Sequence, residues 1–283
     1  MLYFDLHCDT PYECFKKKQE FYVNQLAVSG QAGEVFEKWV QTFGIWIKDD
    51  VPTPFKLYSD ILSFFKQKLS KKPPNLTPLL AVEGGAVLEQ DSDRLYVLKE
   101  DGISFLTLCW NGENPIAGGT KSDKGLTEFG KRVIEKMNGL KIGCDLSHLN
   151  RKSFYSAIEK ADYPLATHSN SAFVCDHPRN LTDEQLKLIA EKGGIIGLCF
   201  YPVFLGDDVF EAVYRNIFHI CEMELWDNIA IGSDFDGAQM HKRLDSIAKV
   251  PDLYAYLEGR GLGKGLLNKI FYENAYNFIA KLK

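Results

Sequence analysis

Short runs rich in branched and aromatic residues recur along the chain, and longer stretches with apolar residues every three or four positions lie between them. The runs number eight: Tyr3 to Cys8, Gly44 to Lys48, Thr77 to Val82, Ser104 to Trp110, Lys141 to Ser147, Pro164 to Thr167, Ile195 to Tyr201 and Asn228 to Ser233. Phe210, Val213, Ile217, Ile220 and Cys221 are spaced to form one apolar helix face. Thr182 with Gln185 predicts a capping box before another helix, which Gly193-Gly194 would close. Strands alternating with helices predict an α/β fold, a (β/α)8 TIM-type barrel. Residues 1–283 would then form one domain, with 238–283 as closing helices that carry no chemistry. An open doubly wound sheet would carry a glycine-rich phosphate loop after its first strand, and none is present. Gly118-Gly119-Thr120-Lys121-Ser122 lacks the Gly-Lys-Ser/Thr order of a nucleotide cradle.

Composition narrows the class without changing that picture. The 283 residues, 45% hydrophobic and 25% charged, suit an ordinary globular protein, and α/β barrels routinely use about 250 residues as one domain. A net charge of −5 argues against a nucleic-acid groove, and Lys16 to Lys18 reads as a solvated helix face. The seven cysteines lack C-x-x-C spacing, and several sit inside apolar runs, as Cys109, Cys144 and Cys199 do. They are expected to be reduced packing residues. Met1 to Asp5 leads straight toward the first strand with no basic or cleavable apolar segment, and the longest apolar run, Ile195 to Leu205, is too short to span a bilayer. A cytoplasmic protein without membrane attachment is expected.

The chemistry lies at the ends of the predicted strands. His7 and Asp9 flank Cys8, and alternate strand residues share a face about 7 Å apart, so both can approach one cation while Cys8 points away. An isolated His-x-Asp is more often a polar pair at a strand end. Here it has company, for strand three ends in Glu83, strand five in His148, strand six in His168 and strand eight in Asp234. In a barrel those C-terminal ends form one face. Imidazoles and carboxylates suit zinc or a similar divalent ion, and five such groups exceed the needs of one tetrahedral ion. Two ions are expected, with Glu83 bridging centres about 3.5–4 Å apart, His7 and Asp9 on one and His148 and His168 on the other. Asp234 would then manage protons for a water that ionises near neutral pH between the cations. For single carboxylates the rival role is a helix N-cap, above all for Asp234 before the Asp236-Gly237 turn.

Six collinear motifs resemble the membrane (renal) dipeptidase family of zinc metallopeptidases, within the amidohydrolase-like barrels. They are Asp5-Leu6-His7-Cys8-Asp9-Thr10-Pro11, Val82-Glu83-Gly84, the stretch from Gly125-Leu126-Thr127-Glu128 to Asp145-Leu146-Ser147-His148, Thr167-His168-Ser169-Asn170, His177-Pro178-Arg179-Asn180, and Gly232-Ser233-Asp234-Phe235-Asp236-Gly237. The resemblance implies two zinc ions, His7, Asp9 and Glu83 at one and Glu83, His148 and His168 at the other, with Asp234 as acid/base. It also implies that Arg179 holds the substrate's terminal carboxylate, for which a planar guanidinium is suited, and that Tyr201 lies near the substrate. One position departs. Characterised members carry a histidine after strand four that stabilises the tetrahedral intermediate, and here Trp110 stands in its place, so that Trp110 or Asn111 must substitute, or the substrate differs. The chain also looks shorter than mammalian members and without their leader and lipid-anchor tail.

The leading expectation is a cytoplasmic zinc-dependent dipeptidase, its partner a small dipeptide. A lactone, cyclic amide or phosphoester hydrolase would keep the barrel and metals, but many such relatives carry His-x-His on strand one. A barrel that binds metal or peptide without turnover is the third reading, prompted by Trp110 and opposed by Asp234 and Arg179. Homodimers are frequent among such barrels, and no stripe in the sequence picks out an interface.

Overall fold

Eight parallel strands close in sequential order, β1 pairing with β8. The structure, a computed structural model, describes residues 1–206 and 208–283. The strands are β1 (Leu2–Cys8), β2 (Lys38–Trp46), β3 (Leu76–Glu83), β4 (Ile103–Thr107), β5 (Gly143–Asp145), β6 (Pro164–Ala166), β7 (Ile195–Leu198) and β8 (Ile229–Ile231). The fold is therefore the (β/α)8 barrel expected from the alternation. Each strand differs from that reading at one end or both, and the largest shifts have a visible cause. β2 begins six residues before Gly44 because Gln41 and Thr42, polar but fully buried, belong to it. β4 and β7 stop at Thr107 and Leu198, since the apolar residues beyond them, among them Cys109 and Phe200, are buried in loops rather than paired.

Strands in such a barrel are buried on both faces, which is why they read as near-continuous apolar runs. Phe4, Leu6, Val40, Ala81, Phe105, Leu165, Ile195 and Ala230 turn inward and form one cluster. Tyr272, Ala275, Phe278, Ile279 and Leu282, from the segment after all eight strands, complete that cluster and floor the barrel. That segment runs through a helix (Lys264–Asn268), a π turn (Lys269–Glu273) and a final helix (Asn274–Ala280). It is preceded by a helix at Val250–Gly259 and by two short 3-10 turns, Lys242–Leu244 and Ile247–Lys249.

The outer helices pack their apolar faces on the strands. In Val209–Glu222, Phe210, Val213, Ile217 and Ile220 are buried and Cys221 is half-buried, while Asp208 caps the helix by accepting from the N–H groups of Phe210 and Glu211. Each such buried side chain contributes about 1.5–3 kcal/mol, so a charge at Ile217 would unseat this helix. The predicted capping box forms at Asp183–Glu191, and Gly193, with φ 65°, turns the chain into β7. All seven cysteines are free, five of them buried. Among the described residues no helix is long and apolar enough to cross a membrane.

Candidate metal centre and substrate cavity

The β1–β2 register shifts between Asp5 and Cys8. Cys8 consequently faces the outer layer, with Sγ 3.5 Å from the Thr42 carbonyl oxygen, although it shares parity with inward Phe4 and Leu6. Asp9 lies past the strand, at the cap position of the helix Thr10–Lys17, and its N–H donates to the Phe235 carbonyl at 2.9 Å. Glu83 ends β3, and Gly84 follows at φ 120°, where a Cβ would strike the Ile47 carbonyl oxygen. His148 and Asp234 lie just beyond β5 and β8 in left-handed backbone, φ 70° and 63°. Such a conformation costs a non-glycine residue about 1–3 kcal/mol and recurs where function holds a side chain in place. Gly237 completes the rim, because a Cβ there would strike Asp9 Oδ2 and lie 2.6 Å from Asp234 Oδ1.

These elements bring His7, Asp9, Glu83, His148, His168 and Asp234 together, all buried. Glu83 sits centrally. Its Oε2 is 3.5 Å from His7 Nε2, and its Oε1 is 2.7 Å from His148 Nε2 and 3.7 Å from His168 Nε2. His7 Nε2 is 3.7 Å from Asp9 Oδ2, and the Nε2 atoms of His148 and His168 are 2.8 Å apart. His7, Asp9 and Glu83 form one group whose ligand atoms lie within 4.8 Å of one another; Glu83, His148 and His168 form a second. His7, His168 and Asp234 form a third, so Asp234 is also within reach of a cation.

His7 Nε2, Asp9 Oδ1 and Glu83 Oε2 are buried without hydrogen-bond partners. Orphaned polar atoms cost free energy unless a ligand satisfies them, and this donor set, imidazole and carboxylate, fits one or two divalent ions. Burial, reinforced by the Arg179 charge, pushes His148 down to about 4 and holds His168 well below the usual imidazole range, so both offer lone pairs. Burial also lowers His7, but Glu83 and Asp9 outweigh it and hold His7 well above its ordinary value. The two carboxylates thus favour positive charge at the point where a cation would sit. Burial raises the Asp234 carboxyl to about 6.

A cavity of about 480 Å³ opens over the cluster, lined by Asp9, Glu83, His148 and Asp234 and also by Trp110, Asn111, Arg179 and Tyr201. All ten site residues read from the sequence therefore line the cavity or sit at its base. Arg179 is buried; Nη2 donates to the His168 carbonyl at 3.3 Å, the guanidinium lies 5.3 Å from the Phe204 ring, and Nε has no partner. Among the described residues no carboxylate forms an ion pair with it. The loop that carries it is fixed by Asn180, which donates to the carbonyls of Cys175 and Phe204, and by His177 Nδ1, which accepts from the Arg179 N–H. Trp110 packs edge-on against Trp46, their centroids 5.2 Å apart, and Tyr201 against Phe204 at 4.9 Å. Asn111 Oδ1 lies 3.0 Å from His148 Nδ1 and accepts its hydrogen, leaving Nε2 to face the centre.

Asp5 and Asp145 have no place in the site as read from the sequence. Both are fully buried beneath it and bind the ends of neighbouring strands. Asp5 accepts from the N–H and hydroxyl of Ser233 at 2.8 and 2.6 Å, across the sparsely paired β1–β8 seam. A carboxylate within an apolar strand is the signal that marks such residues.

A family model described as membrane dipeptidase, peptidase family M19, matches residues 65–282. A protein from the pqqA 5′ region of Klebsiella pneumoniae is 32% identical over 209 residues, which cover 68% of this chain and 77% of that one. Two dipeptidases of Schizosaccharomyces pombe are 30% and 33% identical over 66% and 62% of this chain, and the matches span about half of their own length, 49% and 45%. Dipeptidase AC, a metallopeptidase of family M19, superposes with a TM-score of 0.89 at 24% identity, covering 99% of this chain and 98% of its own. A Rhodobacter sphaeroides metallopeptidase liganded with a phosphinate mimic of L-Ala-D-Ala gives 0.88 at 23% identity, covering 100% and 99%. At those identities the structures speak to the barrel alone. The family match extends over β3 to β8 and takes in Glu83, His148, His168, Arg179 and Asp234, and on that match the chain belongs to the membrane dipeptidase family, peptidase family M19.

Proposed function

We propose that this protein is a metal-dependent dipeptidase with two divalent ions, zinc in the first instance, acting on free dipeptides. His7, Asp9 and Glu83 would hold one ion, and Glu83, His148 and His168 the other. When bound, the ions supply Lewis-acid polarisation of the scissile carbonyl and a water acidified enough to attack near neutral pH. Asp234 takes the proton of the attacking water and delivers it to the leaving amine. Arg179 receives the substrate's C-terminal carboxylate through its planar fork. Trp110 and Tyr201 wall the cavity. With Trp110 in the place of the family histidine and Asn111 Oδ1 committed to His148, the amide nitrogen of Asn111 and the indole N–H of Trp110 are the donors left for the developing oxyanion.

The observation that carries this reading is Arg179. A guanidinium buried without a carboxylate partner is costly, and it opens on the same cavity as an orphaned cluster of metal-ligating groups. A carboxylate brought by the substrate would offset that cost, and a fixed anchor measures a short distance from the chain end to the reacting carbonyl. The cavity volume suits a small ligand, and the phosphinate dipeptide mimic on the Rhodobacter sphaeroides structure agrees in size. Unpaired, largely buried cysteines support a cytoplasmic setting. The test is release of amino acids from a dipeptide panel, L,L and L,D, by zinc-loaded protein. Cleavage that vanishes with chelation and with C-terminal amidation is expected; no cleavage of any member would overturn the reading.

A further inference from the structure

Hydrogens converge on the Asp145 carboxylate from four sides. The N–H groups of Ser147 and Thr167 donate to Oδ1 at 3.1 and 3.0 Å, and the hydroxyls of Thr107 and Thr167 donate to Oδ2 at 2.6 and 2.8 Å. A carboxylate so surrounded only accepts, so Thr167 commits its single hydroxyl hydrogen to Asp145. The Thr167 oxygen then presents lone pairs to His168 Nδ1, 2.8 Å away, and Nδ1 must carry the ring hydrogen. In a neutral imidazole that leaves Nε2 bare. Because His148 also places its hydrogen on Nδ1, toward Asn111, two lone pairs meet at 2.8 Å, an arrangement that repels unless a cation joins them.

We propose that Asp145, acting through the Thr167 hydroxyl, is a positioning pair that fixes the tautomer of His168 and thereby sets the metal affinity of the His148/His168 half of the centre. The inference rests on the reading of His168 as a ligand. Asp5 supplies an internal contrast on the other side of the barrel. It accepts from the His7 and Ser233 N–H groups and from the Ser233 hydroxyl in the same pattern, but the neighbours of Ser233 Oγ are the Asp5 carboxylate, the His7 carbonyl and the Phe235 N–H rather than a ring nitrogen. The strand clamp is thus common to both carboxylates, and the wire to an imidazole belongs to Asp145.

Asp145→Asn is nearly isosteric and reverses the chain of donors. An amide nitrogen at the Oδ2 position would donate to Thr167, whose hydrogen would turn to His168 Nδ1 and move the ring hydrogen to Nε2, where it blocks ligation. Thr167→Val removes the relay atom, and Thr167→Ser retains it. The ring tautomers would be read by long-range 15N–1H spectra on chelator-treated protein, the His168 signal being assigned by its loss in His168→Gln. Zinc stoichiometry and affinity would then be read by competition with a chromophoric chelator. Wild type and Thr167→Ser should show His168 with Nδ1–H and bind two ions. Asp145→Asn should show Nε2–H, and both it and Thr167→Val should bind one ion normally and the other about 10- to 100-fold more weakly. If Asp145→Asn does not fold, Thr167→Val against Thr167→Ser decides. Two ions bound at wild-type affinity by folded Thr167→Val, or Nε2–H on His168 in wild type, would overturn the proposal. Failure of wild type to bind zinc would overturn the ligand reading instead, while the tautomer spectra would still judge the relay.

Discussion

Replacing Arg179 by methionine separates binding of a chain-terminal carboxylate from support of the fold, because the two roles predict opposite changes. In the protein alone the guanidinium is buried, its Nε is unpartnered, and burial lowers its pKa. Methionine would remove that desolvation cost and lose a 3.3 Å hydrogen bond to the His168 carbonyl and the contact with Phe204. The hydrogen bond is worth about 1.5–3 kcal/mol and the cation–π contact about 0.5–2 kcal/mol, whereas replacing buried charge by an apolar side chain commonly gains about 1–4 kcal/mol. Stability should therefore change little. Catalysis should not be spared. A substrate carboxylate entering this cavity without its partner loses about 3–5 kcal/mol, which at about 1.4 kcal/mol per decade lowers kcat/KM by roughly two to four orders of magnitude. Dipeptide amides provide the control: they should be poor substrates of wild type, and the substitution should not worsen them further. A loss below tenfold on free dipeptides, or an equal loss on amides, would refute the assignment of Arg179 as the anchor.

Chelation should lower Tm, because ions that bind only the folded chain stabilise it by about 4 kcal/mol at a thousandfold excess over Kd; an unchanged melt would mean that the orphaned atoms of His7, Asp9 and Glu83 hold nothing. Asp234→Asn should retain zinc in elemental analysis and lose about 10²- to 10⁴-fold in kcat; loss of the ion would instead make Asp234 a ligand, as its closeness to His7 and His168 allows. Asp234 must be ionised to accept a proton, so kcat/KM should rise with pH through its pKa; burial puts that value at about 6 in the protein alone, and adjacent cations pull it lower. A pH profile whose acid limb lies above 6 would contradict this. Gly237→Ala should displace Asp9 and weaken zinc binding with little effect on secondary structure, as read by metal titration beside circular dichroism.

The sequence exposed the site well because barrel geometry converts position along the chain into position in space. Residues just past a β-rich run fall on one face, so His7, Glu83, His148, His168 and Asp234 could be grouped without a structure. Strand limits were harder, since burial and pairing leave the same apolar trace. Leu108 and Cys109 are as buried as strand residues yet lie in a loop, and Gln41 hides in β2 because the Trp39 indole donates to its side chain. The wiring beneath the site was out of reach. That Thr167 stands between Asp145 and His168 depends on which strands are neighbours and how they are staggered, Asp145 being paired with Leu165, and neither pattern nor composition records a register.

A dependence on the end of the chain follows from the aromatic floor. Tyr272 and Phe278 fill the base of the cylinder from a segment that emerges after every strand, and β1 waits for residue 231 before its free edge is covered. A chain without that segment would leave the inner cluster open at its base, so closure of the cylinder depends on residues after 264 as well as on the eight strands.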